Sequence, residues 1–299
     1  MRVLLTGWFS FLHGEVTAGD ALALDAVRGA LGGAGIPCDT AWSPVFRPGG
    51  MCLDDAAPSR YSHLVFVCGP LHGPEVGGLH ARYASCRRLA VGVSVLDPAD
   101  PVVRGFHHVL ARDVLGDVGT AERDLAAVPA TREIPVVGVI LTSGQGEYGR
   151  RRRHEQVSGR ITGWLHGREC ARLPLETRLD SADWRLCGTA DAFSSVVARM
   201  DLVVTTRLHG LVVALCQGVP ALAVDPIAGG GKVTAQAGAW DWPAVVPADD
   251  VTDDALRSSW DWCLSAEGRR RARGHSGRPE RPGRSDSPML VALLEELRR

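Results

Sequence analysis

Short apolar runs alternate with helix-length amphipathic stretches from the first residues to about Leu264, and no other feature constrains the fold as much. Strands buried on both faces read as continuous aliphatic runs, and parallel neighbours need a helical crossover between them. In the first half the pattern predicts strands at Arg2–Thr6, Cys38–Trp42, His63–Cys68, Leu89–Val95 and His108–Ala111. Helices are expected over Gly19–Gly32, over Pro74–Ser85 and in a short segment after Asp113. The run from Ala127 to Pro135 holds two prolines and no period, and reads as the crossing between domains.

A second series opens with Val136–Leu141, followed by a helix over about Arg152–Leu165 and a strand near Glu169–Leu175. Asp191–Arg199 reads as a helix with Thr189 as its N-cap. A strand, a turn, a helix and a further strand follow between Asp201 and Val224, then a strand near Ala244–Val246 and a helix over Asp253–Leu264 capped by Thr252. From Glu267 to Pro288 the composition turns to Arg, Gly, Ser and Pro, too poor in aliphatics to offset ordering entropy, so a flexible linker is expected there. The domain reading is 1–130, 131–266, a linker at 267–288 and a terminal helix at 289–299.

A length of 299 residues accommodates two domains, each with its own core. The net charge of −1 gives no field that would favour nucleic acid or an acidic membrane. The eight cysteines form no C-x-x-C pair, which argues against a zinc ribbon and fits free thiols in a reducing compartment. No segment approaches the ~20 apolar residues of a membrane span, and the first residues read as a strand rather than a signal peptide. The chain therefore reads as cytoplasmic, with no nucleic-acid partner, no membrane span and no metal; a homo-oligomer is compatible with it.

The strand Leu202–Thr205 ends in Thr206-Arg207-Leu208-His209-Gly210, and a helix begins there. Cations beside free N–H groups at a helix N-terminus make an anion site, and open α/β sheets bind ligands at this end of their strands. On the residues alone, Arg207 paired with a carboxylate and His209 as a plain turn residue is an equally good reading. Lys232, the sole lysine, follows three glycines that would let a backbone approach a ligand; the alternative is an ordinary loop lysine. Asp20, at the start of the first helix, is either a first-turn acid favoured by the helix dipole or a group acting on an acceptor hydroxyl. Arg150–Arg153 reads first as a solvated face and second as an anion contact. Trp240 and Trp242 read as packing residues before sugar platforms, and His107-His108 as a sheet edge.

The run Asp201–Leu215 with Arg207-Leu208-His209-Gly210, followed by Gly218-Val219-Pro220 and Lys232, resembles the signature region of the polysaccharide pyruvyl transferase family. Gly19-Asp20, Val65–Pro70 and Leu110–Asp113 are similar to other parts of that family's pattern, with departures at Ala18, at Pro70 and in the loop from Trp8 to Thr17. The resemblance implies an α/β, GT-B-like fold: two Rossmann-like domains facing a cleft, with parallel sheets flanked by helices. It implies transfer of the enolpyruvyl group of phosphoenolpyruvate, a co-substrate in the absence of any cofactor, onto hydroxyls of a glycan to form a pyruvate ketal. It would place donor binding on Arg207, Leu208, His209, Gly210 and Lys232, catalysis on His209 and Asp20, and His13, Arg112, Gly144 and Arg150 along the cleft. The rivals are a nucleotide-sugar glycosyltransferase of the same architecture, a tailoring enzyme acting on a small molecule, and a non-catalytic binding protein.

Overall fold

The computed structural model describes residues 1–117, 119, 121–128, 132–143, 145–276 and 287–299. The chain divides into two compact units, Met1–Thr131 and Arg132–Arg299. Each is a five-stranded parallel sheet flanked by helices, so the chain is a two-domain Rossmann-like α/β protein.

Unit 1 contains strands β1 (Val3–Thr6), β2 (Cys38–Thr40), β3 (His63–Val67), β4 (Arg87–Val95) and β5 (His108–Val114) and helices α1 (Ala18–Gly33), α2 (Gly73–Arg82) and α3 (Pro101–Arg104). The strand order is β2-β1-β3-β4-β5, every pair parallel. Residues of β1 and β3 alternate between two cores: Leu4, Leu64 and Phe66 go to one face, and Val3, Leu5, Val65 and Val67 to the other. Both faces are buried, which is why these strands read as unbroken apolar runs.

Unit 2 contains strands β6 (Val136–Ile140), β7 (Ala171–Pro174), β8 (Leu202–Thr205), β9 (Ala221–Asp225) and β10 (Val245–Pro247). Its helices are α4 (His154–His166), α5 (Ala190–Val197), α6 (Leu208–Cys216), α7 (Lys232–Ala239), α8 (Asp253–Leu264), α9 (Ala266–His275) and α10 (Pro288–Glu296). The order β10-β9-β8-β6-β7 reverses direction between β6 and β8, and unit 1 reverses likewise between β1 and β3. Ligands of open α/β sheets bind beside the carboxyl ends of such strand pairs.

Four expectations change. Glu267–His275 is not a linker: Ser265 accepts a hydrogen bond from the Gly268 N–H at 3.1 Å and starts α9. Arginine is a good helix former, and the small residues Gly268 and Ala272 are buried, so the helix seats itself without aliphatics; a Cβ on Gly268 would stand 2.2 Å from the Trp262 carbonyl oxygen. The remainder of the expected linker, 277–286, lies outside the described residues. Beyond Asp113 the strand continues to Val114 through its pairing with Val95, so the short helix expected there does not begin before residue 118; residues 118 and 120 are outside the described ones. The sequence pattern also misses α3, which Asp100 caps by accepting from the Val102 N–H at 2.7 Å with Pro101 in its first turn. Finally, Lys232 is not a loop residue; it opens α7.

All eight cysteines are free, and Cys68, Cys86 and Cys263 are buried while Cys216 is exposed. Trp242 is buried and donates to the Ala221 carbonyl at 2.7 Å, a packing role. Among the described residues no helix is long and apolar enough to cross a membrane, and no group of His, Cys, Asp or Glu is arranged to hold a metal ion.

Candidate functional site

In unit 2 the turn after β8 is fixed by threonines. Thr205 Oγ1 accepts from the Arg207 N–H at 2.9 Å, and Thr206 Oγ1 accepts from the Thr142 N–H, after β6, at 2.7 Å. The helix that follows lies so close to the strand that a Cβ on Gly210 would meet Thr205 Oγ1 at 2.3 Å, so only glycine fits. Arg207 stands at the N-cap with extended backbone and supplies no side-chain cap to α6. The N–H groups of Leu208, His209 and Gly210 therefore point out of the helix with no acceptor among the described residues, and the positive end of the helix dipole is open. His209 is exposed and Leu208 half-buried at this end.

The Arg207 guanidinium is already engaged. Its Nη2 lies 3.2 Å from Glu176 Oε1, its Nη1 donates to Thr177 Oγ1 at 2.9 Å, and its buried Nε has no partner. Both members of the ion pair are about two-thirds buried, with side chains 29% and 32% exposed. Pairing with a carboxylate is thus realised, and the three backbone N–H groups at the open end of α6 remain for an anion.

The glycine loop before Lys232 is built differently from the sequence expectation. Asp225, fully buried at the end of β9, accepts from the N–H groups of Ile227 (3.1 Å), Gly231 (2.7 Å) and Thr234 (2.8 Å) and from the Thr234 hydroxyl (2.8 Å). Asp249 takes the Gly229 N–H at 3.1 Å. An internal carboxylate thus satisfies the start of α7, and the glycine N–H groups are spent on the loop's own fold rather than offered to a ligand. Gly229 and Gly230 serve the turn itself, with φ of +74° and +85°. Lys232 projects from this rigid base, exposed and without an ion-pair partner among the described residues.

The Arg150–Arg153 run is stitched to the same loop. Arg153 N–H donates to the Pro226 carbonyl (2.8 Å), the Ala228 N–H donates to the Arg151 carbonyl (2.9 Å), and the Arg151 guanidinium donates to the carbonyls of Ala228 and Gly230 at 2.9 and 2.8 Å. Arg150 lines a cavity at the start of α4. Gly144 lies outside the described residues.

Unit 1 brings three of the expected residues together. His13, Asp20 and Arg112 line one cavity of about 510 Å³ at the carboxyl ends of β1 and β3, walled by Trp8, Cys68 and His72. Asp20 is buried and completes a reciprocal cap: it accepts from the Thr17 N–H at 3.2 Å and hydroxyl at 2.8 Å, and its own N–H donates to Thr17 Oγ1 at 3.1 Å. The structural role of Asp20 is therefore present, and its carboxylate also reaches the cavity. Burial, reinforced by the Asp20 carboxylate, pushes the Cys68 thiol up to about 11, which leaves it a neutral wall rather than a nucleophile. Arg112 is held by Asp113, by Asp124 and by Ser94 Oγ at 2.6 Å, so it shapes the cavity with its charge already neutralised. Gly69, at φ +76°, lets the Trp8 indole approach, and that ring donates to the Pro70 carbonyl at 3.0 Å.

Residues 158–226 match the family model described as polysaccharide pyruvyl transferase, which bears out the resemblance over that segment. The match includes Glu176, Arg207 and His209 and stops short of Lys232. No curated protein sequence matches the chain. Among solved structures, similarity extends to the spinosyn rhamnosyltransferase SpnG (12% identity, TM-score 0.36, 100% of both chains). MurG from Acinetobacter baumannii (14%, TM-score 0.35, 99% of both chains) is a second such structure. The UDP-GlcNAc 2-epimerase from Methanocaldococcus jannaschii is a third (8%, TM-score 0.32, 99% of this chain and 100% of the other). At TM-scores this low the likeness is too loose to carry a functional reading.

Proposed function

We propose that this transferase moves the enolpyruvyl group of phosphoenolpyruvate onto two hydroxyls of a glycan or glycoconjugate, forming a pyruvate ketal and releasing phosphate. The observation that carries the reading is the position of Arg207-Leu208-His209-Gly210 within the matched segment: it forms the open N-terminus of α6 at the strand switch of unit 2. Free N–H groups and a guanidinium suit a ligand bearing both carboxylate and phosphate.

In this reading a proton goes to the methylene carbon of the donor and one acceptor hydroxyl adds to the adjacent carbon, losing its own proton. Phosphate then leaves with the C–O bonding pair, and the second hydroxyl closes the ketal as it too loses a proton. His209, exposed at the donor-facing helix end, is the candidate for the proton exchanges, since an imidazole trades protons near neutral pH. Lys232 supplies a second cation to the donor. Asp20 and His13, in the unit 1 cavity, are the candidates for receiving the acceptor hydroxyls.

The test is incubation with phosphoenolpyruvate and, separately, with nucleotide sugars, against a panel of glycans and small polyols, following phosphate release and product mass. Phosphate release with a product gaining one ketal-linked pyruvate is the expected result. Turnover of a nucleotide sugar with none of phosphoenolpyruvate would overturn the reading.

A further inference from the structure

The first turn of α4 lies outside the matched segment and is built as a cradle. Arg151 and Arg153 are consumed by backbone carbonyls: Arg151 holds Ala228 and Gly230, and the Arg153 Nη1 donates to the Arg150 carbonyl at 3.2 Å. The guanidinium groups of Arg150 and Arg152 have no partner among the described residues. Both line a cavity of about 390 Å³ together with Arg153, His154 and Glu155, so three arginines face a single carboxylate. The N–H groups of His154, Glu155 and Gln156 open a thirteen-residue helix that has no side-chain cap.

His154 adds a buried polar atom to this cradle. Its residue is 3% exposed, Nε2 lies 2.9 Å from Gln145 Oε1, and Nδ1 is buried with no partner at all. Gln145 reaches it from a left-handed backbone (φ +61°), an uncommon conformation for a residue with a side chain. An amide oxygen opposite Nε2 assigns the imidazole proton to that nitrogen and leaves Nδ1 as an unfilled acceptor. Burial, with the Arg152 charge adding to it, holds this ring toward its neutral form. Leaving a buried acceptor unfilled is unfavourable, so the site favours a ligand that brings a donor to it.

We propose that the start of α4 is a second anion site, independent of Arg207, and that it takes the phosphate group of a phosphate monoester. Arg150, Arg152 and the helix N–H groups meet the phosphoryl oxygens. A phosphate with its second pKa at roughly 6 still carries an exchangeable proton near neutrality, and that P–OH is the donor that Nδ1 lacks. Sulfate offers the same oxygens and no proton. The cavity is larger than a phosphate group, which leaves space for the esterified remainder. The site stands whether or not phosphoenolpyruvate is the donor at Arg207.

Calorimetric titration of the full chain with inorganic phosphate, glycerol 1-phosphate and sulfate, near neutral pH and at low ionic strength, tests this. The wild type, Arg207→Ala and the double variant Arg150→Gln/Arg152→Gln are compared, with circular dichroism to confirm the fold; the two exposed arginines can be replaced without opening the core. Phosphate and the ester should bind wild type and Arg207→Ala alike and bind the double variant at least about tenfold more weakly, with sulfate at least about threefold weaker than phosphate throughout. The proposal is overturned by phosphate binding that disappears in Arg207→Ala, by unchanged binding in the double variant, by sulfate binding as tightly as phosphate, or by exclusion of the ester. Failure of phosphoenolpyruvate turnover leaves every one of these outcomes readable.

Discussion

Arg207 enters its site already bound to a carboxylate, and this decides how an anion is received. Glu176 Oε1 accepts from the Arg178 N–H at 3.0 Å as well as facing the guanidinium, so it is held in place rather than free to swing away. In the proposed donor site, a ligand carboxylate or phosphate would compete with it. Glu176→Gln should therefore tighten phosphoenolpyruvate binding by about threefold to tenfold, within the energy of one partly exposed ion pair. Weaker binding in that variant would mean that Glu176 positions the guanidinium instead of competing for it. Asp225 matters through structure: Asp225→Ala strands the N–H groups of Gly231 and Thr234 and should cost about 3 kcal/mol in urea unfolding. An unchanged midpoint would contradict the cap assigned to it. Arg207 and His209 could be placed from the sequence because they stand where a strand gives way to a helix, whereas Lys232 drew attention as the sole lysine after three glycines, without the helix it opens. Glu176 was not, since it comes from a different βα unit and only the fold brings it to Arg207. Asp225 offered a signal, an Asp before Pro226 and a glycine run, which marks a side-chain-closed turn.

Among the elements, strands were readable wherever both faces are buried, as β1, β3, β8 and β9 show with continuous apolar runs. Helices with a Thr cap next to their first residue were equally plain: Thr189 and Thr252 accept from Ala192 and Ala255 N–H groups at 3.1 Å. Helix α7 stayed hidden because its cap is Asp225, distant in sequence from its first residue, and because three glycines precede it. Helix α9 was missed because it packs through glycine and alanine rather than aliphatics. The junction of β8 with α6 gives the sharpest prediction at this scale. Gly210→Ala forces a methyl against Thr205 Oγ1, pushing α6 off the strand end. It should lower stability by about 1–3 kcal/mol in chemical denaturation and weaken donor binding in parallel. A variant of wild-type stability and affinity would show that the helix tolerates a looser seat.

Across the whole molecule, each unit carries its own sheet, its own buried core and its own strand-order switch. The two-unit plan was visible in the sequence because the apolar periodicity stops near Ala127 and restarts at Val136. In unit 2, arginines unpaired among the described residues gather at the uncapped start of α4, while the unit 1 cavity is lined by Asp20, His13, aromatic rings and an Arg112 already paired with carboxylates. The most direct measurement is calorimetric titration of phosphoenolpyruvate into Arg150→Gln/Arg152→Gln with and without Arg207→Ala, so that the proposed α4 site contributes to neither. A donor site at Arg207 predicts saturable binding that weakens by about tenfold to a hundredfold when Arg207 is removed, the value of a charge-assisted hydrogen bond. Equal affinity in both proteins, or no binding to either, would contradict it.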